Sequence, residues 1–333
     1  MKCLKSLIII GMMLLSGCTH AASSPKGLDP ELSNYPYPKP VAFFEIQSQQ
    51  QKLRMAYINA EPKQANGRTV LLLHGKNFSA SYWNRTIDSL TAQGYRVIAP
   101  DQIGFGKSSK PQSYQYSFHA LAEHTFHLLE SLQIKKFDVM GHSMGGMLAA
   151  RLVLMYPSRI GKLILVNPIG LEDWKLHVPY RTVEELYQAE LKATPASIRE
   201  YQRTSYFGGE WKPEYEPLTE ILSGWTQHPD YPRVAWNAAL TSDMVFTQPV
   251  LYEFPLIRAD TLLIIGLRDR TAIGKDRVTE EQQKSLGQYP VLGKKAAQAI
   301  PRAKLVELEG VGHIPQVEAF DRYIKASLEF LSP

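Results

Sequence analysis

The sequence predicts an α/β fold, a mostly parallel sheet flanked by helices with an inserted helical cap. Three observations carry that prediction. Short runs dense in Val, Ile and Leu alternate with helix-length segments between residues 69 and 166. The rhythm breaks from 171 to 257, where four of the five tryptophans lie among tyrosines and prolines with no strong apolar run. Strand character then returns at Thr261–Gly266 and Lys304–Leu308.

The amino terminus reads as a targeting segment. Lys2 and Lys5 precede an apolar run, Leu7 to Leu15, that is too short to span a bilayer as a permanent helix. Leu15-Ser16-Gly17-Cys18 follows and resembles the lipobox of bacterial lipoproteins. That resemblance implies a signal peptide over 1–17, cleaved before Cys18, whose thiol then carries acyl chains. Thr19, which is not aspartate, leaves an outer-membrane destination open. The expected location is the bacterial cell envelope, lipid-anchored, at the outer membrane or periplasmic face. Cys3 and Cys18 are the only cysteines, so the mature fold is expected to hold no disulfide. Residues 18–40, rich in Ser, Pro and Ala, read as a lipidated N-terminus and flexible tether.

The core is expected over 41–170 and 258–333. Val41–Ala60 reads as a hairpin turning near Ser48-Gln49-Gln50-Gln51. Thr69–His74 is a continuous apolar run, as a strand buried on both faces requires. A helix over about 80–92 ends at Gly94, a strand follows at 96–101, and a helix is expected over 117–132. Phe137–Gly141 and Ile160–Val166 are further strands on either side of a helix stopped by Pro157. The segment 171–257 reads as the helical cap. A last helix over about 316–331 carries Val317, Phe320, Ile324, Leu328 and Leu331 at helical spacing. Residues 271–295, with Glu280-Glu281 and Lys294-Lys295, read as an exposed insertion.

Composition excludes some classes. Hydrophobic residues are 44% and charged residues 21%, an ordinary globular balance. The formal charge of +5 includes Lys2 and Lys5 and is too mild for a nucleic-acid partner. No basic run and no ligand cluster is visible, so neither a cofactor nor a metal is expected. His119, His124 and His127 read as surface or packing residues.

The chemistry is concentrated at Gly141-His142-Ser143-Met144-Gly145, a G-x-S-x-G between a predicted strand and a predicted helix. Such an elbow holds the serine in a strained turn, lifting its hydroxyl above the sheet. A serine needs a base, and the base needs a group to orient it. Both must sit on loops past the carboxyl ends of strands. Asp269 lies just past the strand ending at Gly266, and His313 lies on the Gly310–Pro315 loop before the last helix. Glu172 and Asp173 are a second possible source of the acid.

With these motifs in this order, the chain resembles the α/β-hydrolase-fold enzymes over nearly its whole mature length. His74-Gly75, Asp101–Ser108, the elbow, the acid loop and Gly312-His313-Ile314-Pro315 carry the likeness. It implies Ser143 as nucleophile, His313 as general base then acid, and Asp269 fixing the imidazole tautomer. It implies an oxyanion hole from the main-chain amides of Lys76 and Met144. His74 and His142 are expected to shape loops, and Asp101–Ser108 to form a structural turn beside the site.

Ser143 disfavours epoxide hydrolysis and dehalogenation, which this family performs with aspartate. Ile314 and Lys76-Asn77-Phe78 stand where carbon–carbon hydrolases of the family carry tryptophan and Ser-Gly-Pro-Gly. The expected activity is therefore hydrolysis of carboxylic esters on a small, apolar substrate through an acyl-enzyme. Cofactor-free perhydrolysis, lactonase chemistry, carbon–carbon hydrolysis and a non-catalytic envelope binding protein are the alternatives.

Overall fold

The computed structural model describes residues 27–332; the expected signal peptide and Cys18 lie outside the described residues. Eight strands form one sheet: β1 (Val41–Ser48), β2 (Gln51–Ala60), β3 (Thr69–Leu73), β4 (Arg96–Pro100), β5 (Phe137–His142), β6 (Ile160–Val166), β7 (Asp260–Gly266) and β8 (Ala303–Leu308). Their spatial order is β1-β2-β4-β3-β5-β6-β7-β8. β1 and β2 form the antiparallel hairpin expected from sequence, β2 pairs antiparallel with β4, and every later pairing is parallel.

The core follows from the two-residue period of the strands. In β3 all five residues are buried. Val70 and Leu72 pack with Ile87, Leu90, Tyr323 and Leu331 on one face of the sheet. Leu71 and Leu73 pack on the other with Leu121, Leu148, Val153 and Leu292. Helices α1 (Asn84–Ala92) and α11 (Phe320–Leu331) therefore cover the first face, and α2 (Phe118–Ser131), α3 (Met144–Met155) and α9 (Tyr289–Ala299) the second. Each fully buried Leu or Ile contributes about 1.5–3 kcal/mol of transfer free energy.

Residues 171–257 contain no strand and hold α4 (Val183–Glu190), α5 (Pro195–Ser205), α6 (Glu220–Trp225) and α7 (Tyr231–Thr247). Capping boxes at Thr182 and Thr194 start α4 and α5. Trp225 packs with Leu32 and Val234, and Trp211 with Phe207 and Tyr215, so these indoles bind the cap together.

Three expectations are corrected. The tether does not reach residue 40 as a free segment, because the chain from 27 onward is docked. Leu32 is fully buried, Leu28 N–H donates to the Gly224 carbonyl, Trp225 Nε1 donates to the Asp29 carbonyl, and Tyr37 donates to Asp101 Oδ2 at 2.8 Å. Isolated apolar residues with no period anchor it, which composition alone does not reveal. The stretch 271–295 is only partly an exposed insertion. α8 (Glu280–Ser285) buries nothing, but α9 buries Tyr289, Leu292 and Ala296 against β7 and β8 and turns Lys294 and Lys295 to solvent. The last helix is broken at Ala319 into α10 (Pro315–Glu318) and α11, which leaves Glu318 free to reach back to the Gly312 amide.

Candidate active site

β3 lies between β4 and β5, so the connections leaving β3 and β5 diverge, and a crevice opens at their carboxyl ends. Leu73 is paired with Gly141, which brings the loop after β3 beside the turn after β5. Across β6 and β7 the register continues through Val166 with Ile264 and Gly266 with Leu308. The four loops carrying the candidate residues therefore leave the sheet at one end.

Ser143 has φ 56° and ψ −121°, a conformation costly for a residue with a Cβ. The neighbouring glycines make the turn possible. A Cβ on Gly145 would lie 2.1 Å from the Leu73 carbonyl oxygen, and one on Gly141 would lie 2.2 Å from that of Gly145. The serine ends β5 and caps α3, whose first amide is that of Met144. Among the described residues, neither the Met144 amide nor the Lys76 amide donates to a protein acceptor.

The structure brings Ser143, His313 and Asp269 together. His313 Nε2 lies 3.0 Å from Ser143 Oγ, and His313 Nδ1 lies 2.6 Å from Asp269 Oδ2. His313 and Asp269 are fully buried. The carboxylate has two further donors: Thr271 N–H to Oδ1 and Asn167 Nδ2 to Oδ2, both at 2.8 Å. A carboxylate only accepts, so Nδ1 of His313 carries the proton and Nε2 is left with a lone pair toward Ser143. Glu172 and Asp173 stand apart from this chain. Glu172 accepts from Gly287 N–H and Trp174 Nε1, and Asp173 from Lys175 N–H and the Tyr252 hydroxyl.

The two other site histidines hold loops. His74 Nδ1 donates to the Gly75 carbonyl, and its Nε2 accepts from Gln102 N–H. His142 Nε2 donates to the His313 carbonyl at 2.8 Å. Burial, reinforced by nearby His313, holds the His142 pKa well below the ordinary imidazole value, so it is neutral at pH 7. In the turn after β4, Asp101 accepts from Ala80 N–H, Lys107 N–H and the Tyr37 hydroxyl. On α2, His124 is buried and bonded to Tyr114, while His119 and His127 are exposed.

Sequence reasoning missed three supports. Asn167 sits directly past the end of β6, where the criterion that selected Asp269 would also have found it; its Oδ1 accepts Gly266 N–H. Glu318 accepts Gly312 N–H at 2.6 Å and pairs with Arg268, pinning the loop that carries His313. Tyr206 of the cap stacks on the His313 ring at 4.8 Å, a contact that nothing in the local sequence announces.

Beside the site, between core and cap, lies a cavity of about 350 Å³, at the small end of ligand-pocket sizes. Phe105, Ile198, Leu222, Trp225 and Val234 give it apolar walls, and Lys76 and Asn77 of the loop after β3 border it. The Lys76 side chain reaches Glu190 of α4 at 3.7 Å, linking the loop after β3 to the cap.

Comparison with known proteins gives one consistent picture. A family model described as alpha/beta hydrolase fold matches residues 68–192. The crystal structure of a probable hydrolytic enzyme from Pseudomonas aeruginosa is 50% identical, with a TM-score of 0.91 over 93% of this chain and 99% of that one. Lipase 1 of Psychrobacter immobilis is 26% identical over 96% of this chain and 94% of its own length. The 2-hydroxy-6-oxo-6-phenylhexa-2,4-dienoate hydrolase of Burkholderia cepacia is 28% identical over 80% of this chain and 88% of its own.

Proposed function

Because the chain belongs to the α/β-hydrolase fold family, and is a hydrolase, we propose that it is a serine hydrolase of carboxylic esters. The observation that carries this reading is the unbroken hydrogen-bonded run Ser143–His313–Asp269 on three loops at one end of the sheet. Nε2 of His313 takes the Ser143 proton as Oγ attacks the ester carbonyl. Asp269 holds the resulting imidazolium in place. The tetrahedral oxyanion is received by the unpaired amides of Lys76 and Met144, each such donor contributing about 3 kcal/mol to the transition state. The imidazolium protonates the departing alcohol, leaving an acyl-enzyme on Ser143. Water, deprotonated by the same Nε2, then releases the acid.

The apolar walls of the cavity support a small, apolar ester as substrate. The name of the Psychrobacter relative, a lipase, supports ester hydrolysis. The Ile314 and Lys76 positions favour ester over carbon–carbon cleavage. We further propose that Cys18 carries the lipid that anchors the protein in the cell envelope. The test of the catalytic reading is a fluorophosphonate probe together with short p-nitrophenyl esters. Wild-type protein labels and turns over; Ser143→Ala does neither while melting within a few degrees of wild type. An unlabelled wild type, or a Ser143→Ala variant that still turns over, overturns it.

A further inference from the structure

Around Ser143 the hydrogen bonds close on themselves. Gly75 N–H donates to the Tyr82 hydroxyl at 3.2 Å, and that hydroxyl donates to His142 Nδ1 at 3.0 Å. His142 Nε2 donates to the carbonyl of His313 at 2.8 Å. The N–H of the same residue, His313, donates to the Tyr206 carbonyl at 2.9 Å. Asn77 Nδ2 then donates to the Tyr206 hydroxyl at 2.7 Å. The circuit returns to the loop it left, one residue to either side of Lys76.

The assignment of protons is unique. The His313 carbonyl only accepts, so Nε2 of neutral His142 carries the proton, Nδ1 is an acceptor, and the Tyr82 hydroxyl, which itself accepts from Gly75 N–H, donates to it. The low pKa of His142 keeps this ring neutral and the pattern intact. Tyr206 accepts from Asn77, and its ring meets edge-on that of Tyr201, which lines the cavity, with centroids 5.4 Å apart. Gly312 is part of the fit, since a Cβ there would lie 2.0 Å from the Tyr206 carbonyl oxygen.

We propose that Tyr82, His142 and Tyr206 are positioning residues: together they close a ring of hydrogen bonds that fixes the Lys76 amide against the His313 imidazole. The ring contributes no atom to the reaction; it sets the distance between the group that holds the oxyanion and the group that moves the proton. Two of its links run to Tyr206, so the cap completes the site rather than merely roofing it. Tyr201 gives the ring a contact with whatever fills the cavity. The proposal rests on the serine-hydrolase reading for its assay.

The test compares Tyr206→Phe, Tyr82→Phe and the double variant on p-nitrophenyl butyrate, with affinity for an alkyl trifluoromethyl ketone as a mimic of the tetrahedral state. An ångström of misplacement at a reacting centre costs about 10²-fold, so a loop released at one link is expected to lose about tenfold in kcat. KM stays within twofold, and ketone affinity falls by the same factor as kcat. The double variant loses little more than either single one, because a ring is opened only once. Asn77→Ala breaks the Tyr206 link from a half-exposed position and must reproduce Tyr206→Phe, so misfolding of a buried variant cannot hide the result. Single variants within twofold of wild type, losses that multiply, or losses carried by KM overturn the ring. A wild type that fails to label with fluorophosphonate overturns the hydrolase reading instead.

Discussion

Asp269→Asn separates two things this carboxylate does. Its oxygens receive three donors: Thr271 N–H on Oδ1, and Asn167 Nδ2 with His313 Nδ1 on Oδ2. An amide offers one oxygen and one NH₂ in their place. With NH₂ in the Oδ2 position it opposes Asn167 Nδ2 and forces the His313 proton onto Nε2, where the ring can no longer take a proton from Ser143. With NH₂ in the Oδ1 position it opposes Thr271 N–H. Rotating Asn167 gives no relief, because its Oδ1 is held by Gly266 N–H. One buried donor is unsatisfied either way, at about 1–3 kcal/mol. That is a fall of roughly 2–12 °C at about 2–4 °C per kcal/mol. The first orientation loses the correct tautomer and both lose the charge opposite the imidazolium, so kcat falls by up to about 10⁴. Adding Asn167→Asp supplies an acceptor for the NH₂ in the Oδ2 position, and Gly266 N–H keeps its partner. The double variant therefore regains melting temperature while its tautomer is locked wrong, and its turnover stays at or below that of Asp269→Asn. Thermal melts and p-nitrophenyl butyrate hydrolysis read both quantities. Asp269→Asn active within tenfold of wild type, or a double variant that recovers turnover without stability, refutes the reasoning.

The remaining predictions probe the elbow, a buried cation and the anchor. Ser143 keeps its Cβ at positive φ, a strain of about 1–3 kcal/mol, whereas glycine loses only about 0.4–1 kcal/mol to unfolded-state entropy relative to alanine. Ser143→Gly should accordingly melt above Ser143→Ala, and the reverse order in calorimetry would mean the elbow stores no strain. Lys110 is buried, and burial pushes its pKa down to about 7 despite the nearby Glu31 and Asp101. Above pH 7 the folded amine is neutral while the unfolded one stays protonated to about pH 10.4, so the unfolded state binds more protons and stability climbs with pH across that window. Lys110→Met should flatten this rise in melts taken from pH 6.5 to 9.5; an unchanged slope argues that the amine stays charged. Cys18→Ser should move the protein from the membrane fraction to the soluble one, and retention through a carbonate wash would contradict lipid anchoring at that residue.

The parts of this molecule that were legible from sequence are those written locally. β3 announces itself because a strand covered on both faces must be apolar throughout, and its five residues are all buried. Ser143 is legible from its G-x-S-x-G turn, and Asp269 and His313 from one rule: a reactive side chain just past a strand's carboxyl end. Asn167 obeys the same rule, but an asparagine carries no charge to attract notice. Tyr206 obeys none. Its bond to Asn77 joins residues 129 apart in the chain and depends on how the cap settles on the core, which no local pattern encodes. The errors have the same origin. Glu280-Glu281 and Lys294-Lys295 suggest a solvated insertion, yet Tyr289, Leu292 and Ala296 form a buried stripe at helical spacing on the same helix as the two lysines. Segment 27–40 looked like a tether because Leu28, Leu32 and Tyr35 bury or bond one by one, against α6 and α7, without a period to betray them.

A division of labour follows from where each group is attached. Ser143, His313 and Asp269 follow β5, β8 and β7, strands joined through β6 by parallel ladders, with β5 and β7 buried almost throughout. Their spacing is thus set by the sheet and by the loops that leave it. The groups that touch the cavity, by contrast, come largely from α5, α6 and α7, and the cap is tied back to the core by many separate contacts. Those contacts include Tyr206 on the His313 loop, Lys76 with Glu190, and the 27–38 segment running from Trp225 to Asp101. Substitutions in the cap's apolar walls can therefore alter which ester fits without moving Ser143 relative to His313. Substitutions at Tyr206 or Asn77 should instead alter the rate for every ester alike. A panel of acyl chain lengths distinguishes the two: wall variants change the ranking of substrates, and ring variants lower the whole ranking by a common factor.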